Sequence, residues 1–465
     1  MKILLIGEFS NVHWTLAEGL RALGHDVTVV SDGDRWKDYP RDVNLQRRHL
    51  DDPSRLRRMA GAVRYLCDLA RIWPTLKGYD VVQLINPVFI DLKAERLWPF
   101  YQFLRRHNGR VFLGAFGIDY YWVKVGSDCK TFRYSDFNFG SQLRDYPFMH
   151  TMIRDWLQGP KGELNQRMAE DCDGIISGLY EYEMCYRPFF PDKTRFIPFP
   201  INLSSVTPVS TLTPSPFPSS SSPSPSPSSS SPSPSSPSSS SPSSPSSSSP
   251  SSPSSFSPSP SSPRLVSPLV QGPLCSDGVA APLAAPLAPV FPSPLRFFIG
   301  IQRSRSAYKG TDLMLSALQR LQADFGPDRV AILKAESVPF AQYQEMMNSS
   351  HVLLDQLYSY TPAMNALLAM AKGLIVVGGG EEEQYELLGE HQLRPIINVQ
   401  PTEQDVYDQI AKRLLSGKED IHQLQLDSME YIRRHHDHIK VAQSYLDFYT
   451  NPSANRQAPL PPTAE

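Results

Sequence analysis

From Ser204 to Pro263 no residue carries a charge, and the stretch from Ser204 to Pro294 holds 24 of the chain's 44 prolines. Ser/Pro repeats of this kind cannot bury apolar surface, and they favour extended, solvated backbone. The tract is expected to be disordered and to act as an interdomain tether of unusual length. It separates a first half, 1–203, from a second half, 295–450, with 204–294 as the linker. The tail, 451–465, carries several prolines and is also expected to be disordered. The repeats fit an SH3-type ligand or a simple-repeat expansion without a specific role.

The remaining bounds are loose. A chain of 465 residues holds two or three domains. A formal net charge of −2 gives no bias toward nucleic acid. The five cysteines (Cys67, Cys129, Cys172, Cys185, Cys275) lack metal or redox spacing, which points to a reducing compartment. The apolar run at Lys2 to Gly7 is too short for a signal peptide, and Glu8 follows it at once. Nowhere do about eighteen apolar residues run together, so no membrane span is expected. These features suggest a cytoplasmic protein.

Both halves alternate strand and helix. Lys2–Gly7, a helix over Trp14–Leu23 and a strand over Val27–Ser31 make a βαβ unit, the signature of a parallel sheet. The loop between them, Glu8 to His13, lacks G-x-G-x-x-G, so the dinucleotide fingerprint is absent. Asp51 to Leu76 reads as a basic helix, with Arg55, Arg57, Arg58, Arg64 and Arg71 against Asp68. It is either a solvated cover for the sheet or a patch that rests on anionic lipid at an inner membrane face. Val111–Gly117 is a strand with Asp119 just beyond its C-terminal end. Ligands collect at that edge of open α/β sheets, so Asp119 is a candidate site residue or else a turn or cap carboxylate. Gly126 to Asp155 is aromatic and polar and fits no element. The second half restarts as a strand at Leu295–Gly300, and a long terminal helix is expected from Leu424 to Tyr449. His435 and His438 would share one face of it, which suits a metal or simply a solvated face.

Within the second half, Tyr360 to Gly380 reads as a short helix and a buried strand. Thr361 suits the N-cap, Pro362 the first helical position, and Gly373 the left-handed stop. The N-terminus of such a helix is a ready anion site. The loop Gly300-x-x-Arg303…Lys309-Gly310 ends the first strand of this half. Strand topology puts both features on one sheet edge, where two cations and free N–H donors suit a diphosphate.

The order of four stretches resembles the GT-B glycosyltransferases, in particular the large retaining class of family four. They are Leu16 to Val30, Ile197-Pro198-Phe199-Pro200-Ile201-Asn202, Gly300 to Gly310, and Leu367 to Val377. The resemblance implies two Rossmann-like α/β domains facing a cleft, an acceptor domain followed by a nucleotide-sugar domain, with the Ser/Pro insertion between them. It implies that Arg303, Lys309, Gly310 and Thr361 bind the donor diphosphate without a metal or a further cofactor. Glu8 would lie on the acceptor side, with His13 and Asp119 as catalytic groups. The terminal helix would return to the first domain. The family's Glu-x7-Glu is replaced by Tyr360 and Leu368, so both carboxylates that touch the donor sugar and ribose are gone. Asp355, Glu381, Glu382 and Glu383 are the acids nearby, as substitutes or as solvated turn residues.

The implied activity is transfer of a sugar from a nucleotide-diphosphate sugar to a glycan or lipid-linked acceptor, in surface polysaccharide assembly. The alternative is a catalytically impaired GT-B protein that serves as a glycan-binding or scaffold subunit. A third reading is an interaction protein tethered by its Ser/Pro tract.

Overall fold

The computed structural model describes residues 1–209, 293–417 and 419–454. Most of the Ser/Pro tract and the tail from residue 455 lie outside the described residues, and with them the expectations placed there. The described ends of those segments are ordered, against the expectation of disorder from Ser204 and from Asn451. Leu203–Ser205 and Pro452–Ala454 form 3-10 turns. Val209 donates its N–H to the Lys372 carbonyl at 2.8 Å.

The first half opens with β1 (Lys2–Ile6), α1 (Val12–Ala22), β2 (Asp26–Ser31), β3 (Val43–Asn44) and α2 (Arg55–Ile72). It continues through β4 (Val81–Leu84), α3 (Ala94–His107), β5 (Arg110–Ala115) and α4 (Tyr120–Gly126). A hairpin of β6 (Asn138–Phe139) and β7 (Gln142–Leu143) leads into α5 (Pro147–Leu157) and α6 (Pro160–Asp171). Then come β8 (Gly174–Ser177), α7 (Tyr180–Tyr186) and β9 (Thr194–Phe196). The sheet order is β3-β2-β1-β4-β5-β8-β9, all parallel. Its central strands are buried on both faces almost throughout, so they read as mostly apolar runs with no alternation, Gln83 and Ser177 being the buried polar exceptions.

The second half holds β10 (Leu295–Ile301), the one-turn α8 (Ser306–Lys309), α9 (Thr311–Phe325), β11 (Val330–Glu336) and α10 (Phe340–Asn348). It goes on through β12 (Val352–Leu354), α11 (Met364–Ala371), β13 (Ile375–Gly378), α12 (Glu382–Leu388), β14 (Ile397–Asn398) and α13 (Glu403–Ile410). Its parallel sheet has the order β11-β10-β12-β13-β14. Strand order reverses between β1 and β4 in the first sheet and between β10 and β12 in the second. Crevices at such reversals, beyond the strand ends, are where open α/β sheets take ligands. Gly7 stands at the first one with φ +88°, and a side chain there would collide with Ile85. The fold is α/β, two Rossmann-like sheets, and both halves fall in one compact unit.

Three local expectations are corrected. The single terminal helix is two, α14 (Ile421–His435) and α15 (His438–Thr450). The break comes from tertiary pairing: Ile201 donates to the His436 carbonyl at 2.6 Å, and His438 donates to the Ile201 carbonyl at 3.1 Å. Asp437 then caps α15 by accepting from Ile439 and Lys440. His435 and His438 therefore sit on different helices, and His435 instead meets Glu390 at 2.8 Å. Among the described residues no group of three or more His, Cys, Asp or Glu side chains is placed to hold a metal. Second, α11 begins after Ala363, not Thr361, while Gly373 ends it at φ +85° as expected. Third, the unplaced stretch from Gly126 holds the β6–β7 hairpin and the start of α5.

The closing helix α15 lies on α1 of the first half. Phe112 packs edge to ring against Phe448, and Arg110 donates to the Tyr449 and Thr450 carbonyls. Gly19 makes the close approach possible, since a Cβ there would run into the His438 carbonyl and the Ala442 methyl. Gly19→Ala is expected to cost about 1–3 kcal/mol of unfolding free energy by overpacking this contact, measured by urea denaturation.

Candidate functional site

Three groups of the first half stand at the C-terminal edge of its sheet. Glu8 is buried and caps the start of α1, accepting from His13 N–H at 3.3 Å and Trp14 N–H at 2.9 Å. Burial pushes its carboxyl up to about 7, against those two N–H bonds. His13 is fully buried, with Nδ1 2.8 Å from the Gly7 carbonyl oxygen. A carbonyl only accepts, so Nδ1 carries the hydrogen and Nε2 is left as a bare acceptor. Nε2 is buried with no partner among the described residues. Burial lowers the ring to about 3, so it is neutral. Asp119 caps α4, accepting from Trp122 N–H at 2.9 Å and from the Tyr186 hydroxyl at 2.8 Å. Burial raises it to about 7. Both its oxygens are engaged, so of the two roles open to it the geometry displays the cap.

The second half presents its cations differently. Arg303 begins a 3-10 turn, with its side chain 86% exposed and paired with Glu336 at the end of β11. Lys309 closes α8, and Gly310 follows at φ +72° against Leu357. The Lys309 ammonium has no hydrogen bond or ion pair among the described residues, though its charge steadies the Asp136 carboxylate. At the strand reversal Asp355 accepts from the Asn365 amide at 3.1 Å. Leu368, on α11, is half-buried.

The edge expected to receive a phosphate is occupied by the chain itself. Glu181, buried on α7 of the first half, accepts from the Ser359 hydroxyl at 2.7 Å and from Tyr360 N–H at 2.7 Å. It also accepts from Thr361 N–H at 3.2 Å and the Thr361 hydroxyl at 2.7 Å. Thr361 is thus no helix cap: its hydroxyl faces Glu181. Tyr360 is buried, stacked on Tyr180 with ring centroids 5.5 Å apart and flanked by Tyr134 at 5.0 Å. Its hydroxyl accepts from Arg133 N–H at 2.8 Å, and burial pushes it up to about 12.

The hairpin segment completes this junction. The Arg133 guanidinium pairs with Glu381 at 2.8 Å and with Glu383. Tyr134 donates to Glu381 as well, and Gln400 does so at 2.9 Å. Burial would raise Glu381, but these donors and Arg133 hold it below the usual range. Asp136 is buried and accepts from the Tyr308 hydroxyl at 2.7 Å, while Arg144 donates to the Ala307 and Tyr308 carbonyls. The Arg144 guanidinium also lies 3.2 Å from the Tyr358 ring centroid. A cavity of about 270 Å³ opens beside these groups, lined among others by Thr131, Arg133, Tyr180, Tyr360 and Glu383.

Sequence reasoning brought Glu8, His13 and Asp119 to one sheet edge and Lys309 and Thr361 to the other. It missed Glu181, Arg133, Tyr134, Asp136 and Arg144. The one signal was the density of aromatic and charged residues from Gly126 to Asp155, too many for a solvated loop.

No protein-family model and no curated protein sequence matches the chain. Among solved structures it is similar to sucrose-phosphate synthase from Thermosynechococcus elongatus, at a TM-score of 0.51 and 12% identity over 98% of this chain and 100% of that one. It is similar also to HepE from Anabaena in complex with UDP and glucose, at 0.48 and 10% over 97% and 100%. A third is the catalytic domain of starch synthase IV from Arabidopsis thaliana bound to ADP and acarbose, at 0.48 and 10% over 98% and 100%. The first likeness carries the fold: the two facing Rossmann-like halves are those of a GT-B protein.

Glu181→Ala is expected to lower unfolding free energy by about 2–4 kcal/mol, because it leaves buried donors unpaired; chemical denaturation measures it. Glu8 and Asp119 give a pH signature. Each carboxyl is held near 7 in the folded chain, whereas an unfolded carboxyl titrates near 4. Between those values the folded state binds more protons, so stability falls as pH rises and the loss is complete above about pH 7. Glu8→Gln and Asp119→Asn should each flatten the decline between about pH 4 and about pH 7, by up to a few kcal/mol, in urea titrations across that range.

Proposed function

We propose that this chain is a glycosyltransferase that takes a nucleotide-diphosphate sugar in its second half and a glycan or lipid-linked acceptor in its first. The observation that carries the reading is the GT-B arrangement of two strand-reversal edges, with a lysine unpaired among the described residues, Lys309, at the second. Lys309, with Arg303 swung from Glu336, would hold the diphosphate and steady the leaving group with charge alone, without a metal or a further cofactor. Gly310 gives the backbone the turn that places Lys309 there. Ser359 to Thr361 would supply N–H and hydroxyl donors once Glu181 withdraws. On the first half, the bare Nε2 of His13 is suited to accept a hydrogen bond from an acceptor hydroxyl. Glu8 and Asp119, each capping a helix start, act as positioning groups. The reading extends to a cytoplasmic enzyme of surface polysaccharide assembly.

A second reading has its own observation. Tyr360 and Leu368 stand where the resembling family has carboxylates, and Glu381 and Glu383 are held by Arg133. This favours a GT-B fold that has lost donor turnover and serves as a glycan-binding or scaffold subunit.

Calorimetric titration with UDP and GDP, without divalent metal, separates the two. Under the first reading wild type binds one of them, and Arg303→Ala/Lys309→Ala weakens binding tenfold or more. Glu181→Gln strengthens it about tenfold, by withdrawing a competing charge worth about 1.5–3 kcal/mol. No binding by wild type or by Glu181→Gln would overturn the first reading in favour of the second.

A further inference from the structure

The helix α2 stands out among the described surface. It is held to the protein by Gly61, Tyr65 and Leu69, its buried positions. Gly61 lies so close to the Arg48 carbonyl that a Cβ would collide with it, and Tyr65 accepts from Asp91 N–H at 3.1 Å. This fixes which way the helix faces. At 3.6 residues per turn, the side opposite Tyr65 carries Leu56, Met59, Val63 and Leu66, spaced three, four and three apart. They are 78%, 56%, 61% and 41% exposed. Ala60, Cys67 and Ala70 fill the gaps between them, and all three are exposed. The outward arc is apolar without interruption.

Arginines border that arc. Arg64 and Arg71 run along one side and Arg55 lies on the other, all exposed. The only acid on the helix is Asp68, which pairs with Arg71 at 2.9 Å and Arg64 at 3.8 Å. We propose that this face of α2 docks on the surface of an anionic lipid bilayer, with the apolar stripe in the headgroup boundary and the arginines on lipid phosphates. The chemistry suits that occupant: apolar side chains take the acyl boundary, and flanking guanidiniums bind phosphate in bidentate fashion. A second copy of the chain fits poorly, because a two-fold pairing of this face would bring arginine borders of like charge together. No helix among the described residues is long and apolar enough to cross a membrane, so the mode is lying on the surface. The surface stands apart from sugar transfer: a chain that binds vesicles but no nucleotide keeps this inference and loses the other.

The test is sedimentation of the full chain with vesicles of phosphatidylcholine alone or mixed with phosphatidylglycerol. Binding should be confined to the mixed vesicles and fall with added salt. Arg64→Gln/Arg71→Gln should weaken it roughly tenfold or more, at about fivefold for each arginine. Leu56→Ser/Val63→Ser should weaken it at least as much, with the thermal midpoint unchanged because both side chains are exposed. No binding, equal binding to both vesicles, or binding indifferent to both double variants would overturn the inference. So would a dimer in sedimentation equilibrium that Leu56→Ser/Val63→Ser dissociates.

Discussion

One buried carboxylate organises the junction of the two halves. Glu181 pairs with no cation among the described residues, yet four donors from Ser359 to Thr361 converge on it. A charge placed so deep is tolerated only when its hydrogen bonds are complete, so Glu181 and those donors hold one another in place. The groups around it follow from that grip. Tyr360 is pressed between Tyr180 and Tyr134, and the Arg133 guanidinium closes over Glu381 and Glu383. Arg133 and Tyr134 sit on the loop that enters the β6–β7 hairpin; the two-residue strands have little stability of their own, and buried Asn138 ties that loop together by donating to the Phe132 and Gly140 carbonyls.

That dependence explains what could be read in advance. The parallel strands were legible because burial on both faces leaves continuous apolar runs such as Ile3–Ile6 and Ile375–Val377. Helix ends were legible where a local signal sets them, and Gly373 stopped α11 where a left-handed residue was due. The errors share one cause. Thr361 has the chemistry of a cap, but its hydroxyl is taken by a residue 180 positions away. The terminal helix has neither glycine nor proline near His436, and it breaks because Ile201 pairs with that backbone. Gly126 to Asp155 had no period to follow. Local pattern records local forces, and these features are set across the chain.

The site divides in the same way. Asp119 was singled out because sheet topology puts strand ends on one edge, whereas Glu8 and His13 were named only through the family resemblance. What each does there was not legible: two are helix caps whose carboxyls burial raises to about 7, and the third is a neutral ring with one bare nitrogen. Glu181 belongs to no motif, and only the approach of the other half gives its carboxylate a role. The outward face of α2 is an intermediate case. Its composition was plain, but which side faced the sheet had to come from Gly61 and Tyr65.

The chain passes between its halves beside Ile201 and again beside Asp437, and those two passages are joined by a pair of backbone hydrogen bonds. A rotation that parts Glu181 from Thr361 and keeps that pair has one kind of axis, a line through the pair itself. The halves are thus joined at this point by backbone hydrogen bonds. Opposed to it is a junction of many contacts, in which Glu181 takes side-chain and backbone donors while Arg133, Tyr134 and Arg144 reach across beside it.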